Sequence, residues 1–127
     1  MMERQSKHST QPLLKRGDVV LVPFPFTDLT SQKLRPAVII SVDPQRIDVV
    51  IAFVSSVVSP EGLSATDYVL RQDDADFLKT GLRKTSTFRM RKLLTIERSS
   101  IIRRLGRVSP AIQKELDIRL RRAVGLQ

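Results

Sequence analysis

The sequence predicts a small, mainly β fold that ends in one helix, and three observations carry that prediction. Asp18 to Phe24, Pro36 to Val42 and Ile47 to Val57 are short apolar segments rich in Val, Ile, Leu and Phe, the composition of buried strands. Proline and polar clusters punctuate them, notably Pro23-Phe24-Pro25-Phe26 and Asp43-Pro44-Gln45-Arg46, and these are turn signals. After Ser109-Pro110 the pattern changes: Ile112, Leu116, Leu120, Ala123 and Val124 recur at helical spacing. A chain of 127 residues buries about two-thirds of its unfolded surface, enough for a single core without staples.

Taken in order, Met1 to Pro12 is polar and without period, so residues 1–12 are expected to form a disordered arm ahead of one domain spanning 13–127. The only histidine, His8, stands in that arm, a poor mount for a general base. The first strand gives way, past Phe24 and Phe26, which are candidates for stacking on bases or for packing, to a polar loop, Thr27 to Leu34. Pro36 fixes its own φ and pushes Arg35 into an extended conformation, presenting one guanidinium where the second strand begins. Ser55 is expected on the third strand, with Ser56 on the opposite face.

Ser59-Pro60-Glu61-Gly62 reads as a loop and Asp67 to Leu70 as a short fourth strand. Asp73 to Gly81 has acids first, a lysine late and a glycine after it, the charge order of a short capped helix. Its carboxylates also raise the thought of a metal site, but acidic first turns are ordinary and no metal is assigned. Thr87 to Ile96 reads as the next strand and Leu105 to Val108 as the end of the β part. Ser109 is then the N-cap and Pro110 the first helical residue. Glu115 with Arg119, and Asp117 with Arg121, are expected to pair at i,i+4, and Gly125 to close the helix.

The 22 Lys and Arg against 13 Asp and Glu give +9 and a pI near 10.8. Such an excess suits nucleic acid, an anionic membrane surface or an acidic protein, without choosing among them. Between Arg83 and Arg107 the only acid is Glu97, so that stretch is either an anion-binding surface or a solvated face kept soluble by charge. With no cysteine, disulfides and thiolate metal sites are excluded. The first residues lack the apolar core of a signal peptide and no run could span a bilayer, so a soluble, cytoplasmic protein is expected.

Two stretches, Arg16-Gly17-Asp18-Val19-Val20 and Arg35-Pro36-Ala37-Val38-Ile39-Ile40-Ser41, stand either side of the polar loop. In that order and separation they resemble the PemK/MazF family of toxin endoribonucleases from toxin-antitoxin modules. Gly81-Leu82-Arg83-Lys84-Thr85-Ser86 resembles the family's Gly-Leu-x-Lys-x-Ser lead-in to its next strand, and Thr95-Ile96-Glu97 fits that strand's end. Two positions depart from the pattern, Arg91 where an acid is usual and Leu94 where an arginine is usual.

What the resemblance implies is an SH3-like barrel of the PemK/MazF/CcdB toxin type, acting as a homodimeric, metal-independent endoribonuclease on single-stranded RNA and neutralised by an acidic antitoxin. It implies catalytic roles for Arg35 and Ser55, accessory roles for Arg89 and Ser86, and an RNA surface including Lys33, Arg83, Lys84, Arg91 and Lys92. It makes the Thr27 to Leu34 loop a gate over Arg35. No cofactor is expected. RNA carries its own nucleophile, the 2′-hydroxyl, so a protein need only remove a proton, spread the transition-state charge and protonate the departing 5′-oxygen. Arg35 is a poor base, and Asp18 or Asp28 is a guess for that part. The same fold also serves toxins that bind gyrase and cut nothing, so a protein-binding inhibitor and a non-catalytic RNA-binding module remain as alternatives.

Overall fold

The computed structural model describes residues 13–24, 33–45, 47–56 and 63–126. The N-terminal arm with His8, the gate residues Thr27 to Gln32 with Phe26 and Asp28, and the Ser59 to Gly62 loop lie outside the described residues.

Six antiparallel strands form one sheet: β1 (Asp18–Pro23), β2 (Leu34–Val42), β3 (Asp48–Ser55), β4 (Asp67–Leu70), β5 (Ser86–Glu97) and β6 (Arg103–Arg107), in the order β4-β5-β3-β2-β1-β6. The helix α1 (Pro110–Ala123) follows. The three apolar segments seen in the sequence are β1, β2 and β3, and β4 has the expected bounds. β2 begins one residue before Arg35, which therefore lies inside the strand.

Both faces of the sheet are covered, which explains the unbroken run Ala37-Val38-Ile39. On one face Val19, Val38, Ala52, Val54, Phe88 and Met90 pack with Ile112 and Leu116 of α1. On the other, Val20, Val22, Ala37, Ile39, Val49 and Ile51 pack with Leu14, Phe53, Leu94 and Ile101. Ser109 caps α1 as its sequence requires, its Oγ accepting from the Ile112 N–H at 3.2 Å.

Three expectations change. Asp73 to Gly81 is a series of turns ending in a three-residue 3-10 helix, Leu78–Thr80, with Gly81 in the left-handed conformation at its end. The charges and the glycine read correctly as a stop, but Phe77 is the one large apolar side chain this segment buries, too little for an amphipathic helix. Second, Asp117 turns from Arg121 toward Arg16, beside β1, and accepts from Gln113 as well; Glu115 and Arg119 do pair, at 2.8 Å. Burial alone would raise the Asp117 carboxyl, but those two hydrogen bonds and the charges of Arg16 and Arg121 together hold it below the ordinary carboxylate value. Third, Arg103–Arg107 is a strand in its own right, paired to β1.

The sheet curls until its two ends nearly meet. The turn after β4 lies against β6 through two glycines: a Cβ on Gly81 would stand 2.2 Å from the Leu105 carbonyl oxygen, and one on Gly106 would stand 2.3 Å from that of Lys79. Backbone rests on backbone there.

Candidate nucleic-acid interface

Directly opposed residues in antiparallel strands share a face, so the registers settle which side chains are neighbours. Arg35 is opposite Val22. The β2–β3 ladder ends at the Ala37 and Phe53 pair; Arg35 and Ser55 each stand two residues beyond it and so fall on the same face. Ser55 is opposite Thr87 on β5, and Thr87 is opposite Val69 on β4. One row across the sheet thus carries Arg35, Ser55 and Thr87 on the same face. Arg89 stands two residues further along β5, again on that face, opposite Asp67 of β4.

Phe24 follows directly after β1. The Arg35 guanidinium carbon lies 5.4 Å from the Phe24 ring centroid, within cation–π range, and Phe24 meets Phe53 edge-on with centroids 5.6 Å apart. The aromatic pair forms an apolar floor that holds the arginine from one side. Lys33, exposed, precedes β2 at the same end of the sheet, and its carbonyl accepts from the Phe24 N–H at 2.8 Å.

β5 is not the even strand its sequence suggests. Ala52 is opposite Leu93 but Val54 is opposite Phe88, so Arg89, Met90, Arg91 and Lys92 together face Phe53 alone. A bulge of this kind bends a strand and re-aims its side chains. Met90 is fully buried while Arg91 and Lys92 are exposed, so the bulge separates an apolar anchor from three cations beside the row.

The remaining candidates divide. Arg83 and Lys84 are exposed on the approach to β5, at the same end as the row. Ser86 precedes Thr87 and so takes the other face of β5; its Oγ donates to the Lys84 carbonyl at 2.7 Å. Part of the basic stretch has structural work elsewhere: Arg104 and Arg107 lie 3.4 and 2.9 Å from Asp18. Asp18 is fully buried, its second oxygen accepting from the Lys15 N–H at 2.8 Å. It is four residues along β1 from Val22, about 13 Å at the usual strand rise, so the guess that it serves as base for chemistry at Arg35 does not hold. Asp28, the other guess, lies outside the described residues.

Sequence reasoning passed over Thr87 and Asp67. Thr87 Oγ1 is buried with no hydrogen-bond partner among the described residues, and the Asp67 side chain is only 6% exposed. Among the described residues no group of His, Asp and Glu is arranged to hold a metal ion, and no helix is long and apolar enough to cross a membrane.

A family model of PemK-like, MazF-like toxins of type II toxin-antitoxin systems matches residues 15–124. An endoribonuclease in complex with its cognate antitoxin from a mycobacterial species superposes with TM-score 0.69 at 20% identity, over 91% of this chain and 98% of that one. Mycobacterium tuberculosis toxin MazF-mt6 gives 0.66 at 20% identity over 87% and 98%. A chain of MazE-MazF from Deinococcus radiodurans gives 0.67 at 16% identity over 90% and 98%. These likenesses establish a common fold. Among curated proteins nothing matches significantly.

Proposed function

The chain belongs to the PemK-like, MazF-like toxins of type II toxin-antitoxin systems, and on that premise we propose that it is an endoribonuclease that cuts single-stranded RNA at the face bearing Arg35 and Ser55. The observation that carries this reading is the shared face: a guanidinium steadied on Phe24, a hydroxyl on the same face of the next strand, and a second guanidinium, Arg89, two strands over. In the reaction the 2′-oxygen bonds to the adjacent phosphorus and the bond from phosphorus to the 5′-oxygen breaks. The 2′-hydroxyl gives up its proton and the departing 5′-oxygen gains one. Arg35 offers a planar fork of donors to the phosphate and stabilises the extra negative charge of the transition state, with Ser55 donating alongside. A fixed guanidinium in a partly water-excluded site costs no reorganisation when that charge develops.

Lys33, Arg83, Lys84, Arg91 and Lys92 hold neighbouring phosphates, and Arg89 assists at the centre. The working form is a cytoplasmic homodimer. An antitoxin is the partner, as in the mycobacterial and Deinococcus complexes, and an acidic segment of it competes with RNA for the same cations.

The test is incubation of the pure protein with a mixed-sequence RNA, with and without chelator, followed by analysis of the new ends. Chelator-resistant cutting that leaves a 2′,3′-cyclic phosphate or its opened product is expected. Arg35→Ala should fold normally and lose roughly a hundredfold to a thousandfold in rate, as other oxyanion donors do. RNA left intact by folded protein would turn the assignment to a protein-binding toxin, and full-rate cutting by Arg35→Ala would remove Arg35 from the site.

A further inference from the structure

We infer that Asp67 is the positioning residue for Arg89, a carboxylate supplied from β4 that fixes the second guanidinium on the RNA face; this rests on the endoribonuclease reading of that face. Asp67 and Arg89 are opposite in the β4–β5 register, and the carboxylate Oδ1 lies 3.8 Å from the arginine Nε. Their exposures differ sharply. The Asp67 side chain is 6% exposed and that of Arg89 42%, so the anion sits in the wall and the cation reaches out of it.

Asp67 is itself held. Its Oδ2 accepts from the Ser64 N–H at 3.3 Å, and its main-chain oxygen accepts from Arg119 Nε at 2.9 Å, which ties β4 to α1. A carboxylate taken almost wholly out of water needs a cation beside it, and Arg89 is the one ion-pair partner it has among the described residues. The demand works in both directions: the wall anion cannot release Arg89 without losing its one counter-charge among the described residues.

The contact is one of charge, on the Nε side of the guanidinium and longer than a hydrogen bond. It therefore leaves the N–H donors of Arg89 available to an RNA phosphate. Asp67 thereby does for Arg89 what the Phe24 ring does for Arg35, by charge instead of by π contact. This matters most at Arg89, because it opens the β5 bulge, where the ladder with β3 is interrupted and the backbone alone gives least guidance.

Two readouts test this on the full chain, one needing no RNA. In the free protein the Arg89 guanidinium should give side-chain NMR signals shifted away from those of a freely solvated arginine, which move to the solvent-exposed position in Asp67→Asn and stay shifted in Asp67→Glu. In cleavage assays Asp67→Asn should lower kcat about tenfold with little change in KM, and should cost nothing further in an Arg89→Ala background, since the pair acts as one unit. Asp67→Glu should recover much of the rate. An Arg89 signal unmoved in Asp67→Asn overturns the inference, as does an equal loss of rate with and without Arg89. A wild-type protein that cuts no RNA would overturn the function proposed above while leaving the NMR comparison to decide the role of Asp67.

Discussion

Asp18→Asn separates what this family's opening motif does for the fold from what it does for chemistry. The substitution keeps shape and keeps an acceptor for the Lys15 N–H, and removes only the charge facing Arg107 at 2.9 Å and Arg104 at 3.4 Å. Hydrogen bonds to charged groups contribute roughly 1.5–3 kcal/mol each when buried. Here the anion is fully buried but the arginines are 43% and 34% exposed, so each can recover water, and the pair contributions shrink toward about 1 kcal/mol apiece. A loss of about 2 kcal/mol is therefore expected. With a urea m-value near 2 kcal/mol/M, the midpoint should fall by about 1 M. RNA cleavage measured well below that midpoint should stay within about twofold of wild type, because Asp18 is remote from Arg35. An unchanged midpoint would refute the structural role argued for Asp18. A variant of wild-type stability that no longer cuts RNA would refute its separation from the site.

Other outcomes follow from the same geometry. If about four phosphates are neutralised by the cations around the β5 bulge, log K for single-stranded RNA should fall against log salt with a slope of roughly −3; a slope near zero would return those residues to a solubilising role. Thr87→Val replaces a buried hydroxyl that has no partner among the described residues with a methyl of the same shape, and should raise stability by about 1 kcal/mol in urea titration; a fall would mean that the hydroxyl is satisfied. Asp117 is held below its ordinary value of 3.8, so its contribution is present above that value and is lost as pH falls through the lower folded value. Asp117→Asn should accordingly be less stable near neutrality and show a shallower loss in acid; identical slopes for the two proteins would contradict this.

Much of the fold could be read from the chain because its strands are buried on both sides. Val19 to Val22, Ala37 to Ile40 and Val49 to Val54 announce themselves by composition, and Ser109-Pro110 announces the helix by capping chemistry. What stayed hidden was set by relations between distant residues. Arg103-Arg104-Leu105-Gly106-Arg107 has neither alternation nor a β-branched residue, and becomes a strand because β1 offers it an edge. Asp117 satisfies the i,i+4 rule with Arg121, yet Arg16 from the other end of the chain takes it. At the candidate site, the resemblance pointed to Arg35 and Ser55. The place of Asp67 could not be read, since nothing around residue 67 says that residue 89 will stand opposite. The β5 bulge is of the same kind: it belongs to a mismatch between two strands and to neither sequence alone.

The glycine seam where the turn before β5 meets β6 makes the protein's tolerance of change one-sided. Gly81 and Gly106 meet carbonyl oxygens at distances that leave no room for even a methyl group, so removing atoms elsewhere can be absorbed while adding one carbon here cannot. The joint holds by vacancy, and no single exchange can improve it: a residue with a side chain at either position would first need its opposite backbone moved. Two stretches of chain 25 residues apart are thereby obliged to drift together or stay as they are. The turn fixed in this way leads straight into Arg83, Lys84 and β5, so a constraint with no chemistry of its own governs where the exposed cations of the candidate interface begin.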